Sequence, residues 1–395
     1  MSEWKKEKLG DYVEVLSGFA FKSKDFTSEG VPVIKIKNIS PPNVSLEDLS
    51  YVPMTIVTQN PRYILSRGDV LIAMTGSHIN QIASVVGRVG RIRYDVLSVL
   101  NQRVGKIVNK DDKKSSLDFV YYYLSQYEVK VELAQKAGGA ANQANISPKD
   151  IKDLMFPCPP VETQHRIATI LSRYESLIEN YQKQIKLLEE AAQRLYKEWF
   201  VDLHFPGHEN TKIVDGVPEG WEKKKVGEIA IISAGGDKPD VVTEEQTTEC
   251  QVPIYSNGTT KEGLYGYTNK SSNTAGSITV SARGSIGFAC LRMHDYFSIV
   301  RLISIKPQNN VDLMYLFQFT KVHTFMSNGA AQQQLTVPMV KAIDVVYPAE
   351  SLLEAFENVV LPLYQKVQSL QSQLRLLTEA RDRLLPKLLS GEITV

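Results

Sequence analysis

The rhythm of apolar positions changes along this chain. Short alternating or wholly apolar runs come first, among them VPVIKIKNI (31–39), DVLIAM (69–74) and ASVVGRVGRIRY (83–94), and SITVSA (277–282) is of the same kind. A period of two bounded by turn residues predicts strands. Single helical patterns follow at about 117–136 and 311–326, so each region predicts an α+β globule rather than a doubly wound sheet. From Val161 to Phe200 there is neither glycine nor proline, and the apolar residues step by four and three: Ile167, Leu171, Tyr174, Ile178, Tyr181, Ile185, Leu188, Ala192, Leu195, Trp199. A sustained 3.5-residue repeat predicts a coiled-coil seam. Forty residues at about 1.5 Å each would span roughly 60 Å, longer than a small domain is wide. The same register returns as Phe356, Val360, Leu363, Val367, Leu370, Leu374, Leu377, Arg381, Leu384 and Leu388. Arg381 breaks that seam once, and Pro362 predicts a kink or the effective start of the second helix.

The repetition extends to the whole chain. Trp4 opens WKKEKLGDYVEVLSG and Trp221 opens WEKKKVGEIAIISAG, which matches Leu9 with Val226, Gly10 with Gly227 and Gly18 with Gly235. GDVLIAMTGS (68–77) parallels GSITVSARGS (276–285), and Leu97 to Val99 parallels Phe297 to Ile299. GGAANQANIS (138–147) parallels NGAAQQQLT (328–336), and LLEEAAQRL (187–195) falls on LLTEARDRL (376–384). Matches that keep one order predict a duplicated module. The organisation expected is a globule over 1–158, a helix over 159–203, a linker rich in Pro, Gly and Asn over 204–220, a second globule over 221–348 and a second helix over 349–395. Helices that pack seam to seam in this arrangement run antiparallel. The expected architecture is therefore two globular domains separated by an antiparallel two-helix coiled coil, related by a pseudo-twofold axis.

Composition narrows the class. The 395 residues are 43% hydrophobic and 23% charged, as in ordinary globular proteins with several domains. No apolar stretch reaches the roughly 18 residues of a membrane span, and the N-terminus lacks a signal-peptide core, so no membrane association is expected. Cys158, Cys250 and Cys290 are isolated, which suits a reducing cytoplasmic setting. The net charge of +1 is uninformative, but residues 55–110 hold Arg62, Arg67, Arg88, Arg91, Arg93, Arg103, Lys106 and Lys110 against only Asp69 and Asp95. A local excess of that size can neutralise several phosphates.

Motifs for catalysis are missing. There is no phosphate-binding GxxxxGK[ST], no GxGxxG after a strand and no GxSxG elbow. NPRY (60–63) reads as a turn rather than the methyltransferase motif NPPY, and Pro239-Asp240 lacks a following ExK. Pro206 lies between His204 and His208, so no metal site is expected, and neither catalytic residues nor a cofactor are expected in this chain. Polar loops instead recur at matching places: Asn142, Gln143 and Asn145 with Gln332, Gln333 and Gln334, and Thr75, Gly76 and Ser77 with Arg283, Gly284 and Ser285. Asn and Gln pair with adenine edges and Arg with guanine, while hydroxyls reach phosphates. With Lys35, Lys37, Asn38, Arg88, Arg91, Arg93 and Arg103 in the first module and Ser256, Asn257 and Lys261 in the second, these are the candidate DNA contacts.

PPVETQHRIATIL (159–171), with Pro159, Pro160, Glu162, Gln164 and Ile167, FPGHENTKIVDGVPEGW (205–221) and RLLPKLLSGEI (383–393) resemble the specificity subunit of type I restriction–modification enzymes. YPAESLLEAF (347–356) departs from that pattern, lacking the second proline and the glutamine. The resemblance implies two target recognition domains, each reading one half of an asymmetric bipartite DNA sequence. The helix pair would set the unread spacer and dock two modification subunits, which hold S-adenosylmethionine and methylate adenine. Restriction subunits would add cleavage dependent on ATP and Mg. Two alternatives are a self-contained fused methyltransferase–nuclease, opposed by the missing motifs, and a scaffold that does not bind DNA, opposed by the basic segment.

Overall fold

In a computed structural model of the chain the described residues are 4–77, 85–138, 144–325 and 334–395, residue 310 by its backbone alone. The chain forms two compact units, Met1–Glu179 with Leu374–Val395, and Asn180–Gln373.

Unit one holds strands β1 (Val13–Ser17), β2 (Val31–Ile34), β3 (Val70–Ala73), β4 (Val89–Arg91), β5 (Ser98–Leu100) and β6 (Val104–Asn109), then helix α1 (Leu117–Leu124). The main sheet runs β1-β6-β3-β4 and is antiparallel, with Asn43–Val44 and Ile39–Ser40 added beyond β4. In a second sheet β2 lies parallel to β5. The alternating residues Val13, Val70 and Ile72 pack against Phe119 and Tyr121 to Tyr123 of α1. Ile167 and Leu171 of the long helix α2 (Val161–Tyr196) join this core.

Unit two repeats the plan with β7 (Ala230–Ala234), β8 (Val252–Tyr255), β9 (Ser277–Val280), β10 (Ala289–Arg292), β11 (Phe297–Ser298), β12 (Ile303–Pro307) and α3 (Leu313–Val322), followed by the long helix α4 (Glu350–Ser390). Its main sheet runs β7-β12-β9-β10, the order of unit one with six added to each label, and β8 is again parallel to β11. Registers repeat as well: Gly105 pairs with Ser17, and Ile303 with Ala234. Gly18 and Gly235 of the first match are both needed. A Cβ on Gly18 would stand 2.3 Å from the carbonyl oxygen of Asn101, and one on Gly235 would stand 2.7 Å from the amide nitrogen of Ile299.

One sequence match needs correcting. The Gln102 amide donates to Phe19 O and the Val300 amide to Gly236 O, both at 2.9 Å, so Gln102 corresponds to Val300 and Arg103 to Arg301. Pairing Leu97 to Val99 with Phe297 to Ile299 is therefore two residues out of register. A slip of two keeps every side chain on its own face, so alternation could not reveal it.

Every predicted seam position from Ile167 to Leu195 and from Val360 to Leu384 is buried or half-buried. In unit one, Ile167 and Leu171 of α2 cluster with Leu384, Leu388 and Leu389 of α4. In unit two, Ile185, Leu188 and Ala192 cluster with Phe356, Val360 and Val367. The start of one helix thus meets the end of the other in each unit, so the pair is antiparallel. Burial also reaches Glu175 and Tyr196, one position past the predicted Tyr174 and Leu195, because each helix faces a globule as well as its partner and needs a wider stripe than a seam. α4 does not start at Pro362; it begins at Glu350 and continues unbroken. Pro362 and Asn358, whose carbonyl loses its amide donor, are both exposed, so water can satisfy the freed group.

Candidate nucleic-acid interface

The polar loops that recur in sequence meet in space, once in each unit. In unit one Thr75–Gly76 pairs antiparallel with Ala144–Asn145, and the Ile146 amide donates to Met74 O at 2.9 Å. In unit two the Leu335 amide donates to Ala282 O, also at 2.9 Å, and Arg283 Nη2 donates to Gln334 Oε1 at 2.9 Å. The same loop junction is therefore built twice with different side chains on it. Asn145, Arg283 and Ser285 are exposed, Ser77 and Gln334 are half-buried, and Thr75 is buried. Asn142, Gln143, Gln332 and Gln333 lie outside the described residues.

Five of the segment's eight basic residues are ion-paired in the fold, and Arg62 stays exposed. Arg67 pairs with Asp95 at 3.0 Å, Lys106 with Asp69 at 2.6 Å and Lys110 with Glu14 at 3.0 Å. Arg91, expected to face DNA, is buried over the Tyr121 ring at 4.3 Å, with Nη2 2.8 Å from Asp118. Arg93 lies 2.8 Å from Glu175 and 3.6 Å from Glu179 of α2. These two arginines hold α1 and α2 on the sheet, and their acidic partners come from outside the basic stretch. Arg103 stays exposed and Arg88 is half-buried.

Other candidates are occupied internally. Asn38 is buried; its Oδ1 accepts from the Lys35 amide at 3.0 Å and its Nδ2 donates to Glu47 O at 2.9 Å, so it staples a turn. Lys35 Nζ donates to Ser50 Oγ at 2.8 Å over the Phe26 ring, and burial lowers its pKa. Lys37 pairs with Asp48 at the surface. Asn257 donates to Val300 O and accepts from the Ala282 amide, both at 2.7 Å, which uses both ends of its carboxamide. Ser256 is half-buried and Lys261 is exposed, the latter in a left-handed conformation with φ 47°.

Two residues were missed, and a third was named without a role. Arg301 is exposed and becomes visible as the partner of Arg103 once the repeat is aligned at the correct offset. Arg292 is buried against the Tyr255 ring at 3.5 Å and donates to Thr279 Oγ1 at 3.0 Å and Glu262 O at 2.6 Å, which fixes the turn that carries Lys261. Gln164 stood in the resemblance without a role. Its Oε1 accepts from the Ser116 amide at 2.9 Å and its Nε2 donates to Pro159 O at 2.9 Å, tying the start of α2 to the loop before α1. At the matching place in α4 stands buried Leu353, and the Met314 amide is taken instead by the Glu357 carboxylate at 2.9 Å. Burial pushes the Glu357 pKa up to about 7.

The family described as type I restriction modification DNA specificity domain matches residues 1–190 and 218–351. The chain belongs to this family. The MjaIX specificity subunit of Methanocaldococcus jannaschii is 24% identical over 423 residues, covering 100% of this chain and 94% of that protein. A putative specificity subunit of Mycoplasma pneumoniae, S.MpnORF507P, is 26% identical over 255 residues, covering 64% of this chain and 66% of that one. The crystal structure of a type I S subunit from M. genitalium superposes with a TM-score of 0.69 at 20% identity, over 98% of this chain and 96% of that chain, and so shares the fold. As a specificity subunit, the chain is a DNA sequence-recognition component. Among the described residues no helix is long and apolar enough to cross a membrane.

Proposed function

We propose that each unit reads one half of a bipartite, asymmetric DNA target, and that the helix pair sets the spacer between the halves and docks two modification subunits. The loop junction built twice carries this reading: one copy presents Asn145 beside buried Thr75, the other Arg283 and Gln334. The scaffold is shared and the hydrogen-bonding groups differ, which suits two unlike half-sites. The chain supplies recognition and no chemistry. Modification subunits bind S-adenosylmethionine and methylate adenine, restriction subunits use ATP and Mg for cleavage, and the complex works in the cytoplasm.

The test is a genome-wide map of adenine methylation in cells with and without this gene. Loss of one bipartite motif is the expected result; an unchanged map in cells with active modification subunits would overturn the reading. Deleting seven residues from each of α2 and α4 removes two helical turns and is expected to keep both half-sites while shortening the preferred spacer. An unchanged spacer would sink the ruler role of the helices.

A further inference from the structure

The two units close one contact differently. In unit one the Met74 amide donates straight to Arg103 O at 2.9 Å. At the matching place in unit two the Ala282 amide donates to Asn257 Oδ1, and Asn257 Nδ2 passes the connection on to Val300 O. A carboxamide is thus inserted between two loops that touch directly in the other copy. Counting from the paired strands, with Val33 beside Val99 and Ile254 beside Phe297, the counterpart of Asn257 is Ile36, which packs on an apolar cluster.

The inserted amide coincides with a backbone anomaly. Val300 and Arg301 are consecutive left-handed residues, with φ 54° and 64°. That region is costly for any residue with a Cβ and most so for a β-branched one. Val300 is 42% exposed, so burial does not repay the conformation. Three bonds hold it: the Val300 amide to Gly236 O and the Arg301 amide to Gly235 O, both at 2.9 Å, and the Asn257 bond to Val300 O. Gln102 and Arg103, the equivalents in unit one, have no such conformation. The turn leaves Arg301 exposed, with no ion pair to any described residue. The other end of Asn257 holds Ala282, next to Arg283, whose guanidinium already rests on Gln334.

We infer that Asn257 is a positioning residue for DNA recognition. Its carboxamide sets the left-handed turn that aims Arg301 and holds the loop that carries Arg283, so that both arginines contact the half-site read by unit two. The inference rests on the bipartite reading proposed above. A planar guanidinium suits a guanine edge or a backbone phosphate in a duplex.

The full chain, produced with its modification subunits, tests this with Arg301→Ala and Asn257→Leu. The methylated motif is mapped in cells, and binding is measured on duplexes that carry the motif modified by the wild-type complex. Both variants are expected to relax base choice at the same positions of one half-site, or to weaken binding about tenfold with a shallower salt dependence, while the other half-site is unchanged. Arg301→Ala should melt with the wild type. The inference is overturned if Arg301→Ala leaves motif and affinity intact, or if Asn257→Leu disturbs both half-sites or different positions. If Asn257→Leu fails to fold, Arg301→Ala decides. A wild-type complex that modifies no bipartite motif would sink the proposed function itself; a bipartite motif indifferent to Arg301 would sink this inference alone.

Discussion

Glu175 on α2 and Tyr364 on α4 stand 189 residues apart, the offset of the duplication, and both are buried against the short helix of their own unit. Glu175 sits in an ionic network: Arg93 lies 2.8 Å away and the Tyr122 hydroxyl donates to it at 3.0 Å. Tyr364 is neutral; its hydroxyl accepts from Gln318 Nε2 at 3.0 Å and its ring stands edge-on to Phe317 at 5.1 Å. One backbone plan has kept the position buried and its polar tip satisfied while exchanging charge for a neutral bond. What the position keeps is a hydrogen bond at its polar tip, while Gln318 Oε1 beside it has none among the described residues; a buried pair can be replaced by neutral groups more readily than it can lose one member.

The comparison can be broken at its charged end first. Arg93→Met leaves Glu175 buried without its nearest cation and is expected to destabilise the full chain by about 3 kcal/mol in chemical denaturation. Tyr364→Phe removes one neutral bond and strands Gln318 Nε2, for about 1 kcal/mol. Equal losses in the two variants would show that the ionic network has no special hold on α2. Glu357 gives a smaller, pH-dependent contrast, because the matching residue in α2 is buried Ala168. With the Glu357 pKa raised from 4.5 to about 7, the folded chain binds more protons than the unfolded one between those values. Its contribution is fully present below about 4.5 and is lost as pH rises to about 7. Glu357→Gln keeps an acceptor for the Met314 amide and should flatten that slope, gaining about 1 kcal/mol at pH 8 once partial solvent screening is allowed for. Denaturation at pH 5 and pH 8 measures this, and an unchanged slope would remove Glu357 from the account.

Periodicity carried the legible part of the fold. The steps of four and three marked both long helices, and the ordered matches marked the duplication, because both follow from backbone geometry acting on local sequence. Register between strands was less legible: the offset at Arg103 and Arg301 differs by two from the one that side-chain alternation suggested. Charge read along the chain misled most. Arg93 finds Glu175 82 residues away, so a basic stretch in sequence became an ion-paired junction in space. Asn38 and Asn257 looked like free readers because a sequence does not tell whether a carboxamide faces solvent or its own backbone.

Leu388 and Leu389, close to the last residues of the chain, are buried in the same cluster as Leu9 and Val13. During synthesis, a core opened at Leu9 and Val13 waits until Leu388 and Leu389 have been made before it can be filled. At about 5–20 residues per second that delay is some tens of seconds, during which Ile167 and Leu171 lack their final covering. Unit two, whose segment ends at Gln373, has all its residues before unit one does. Of the two units, the one begun earlier is therefore the one completed later.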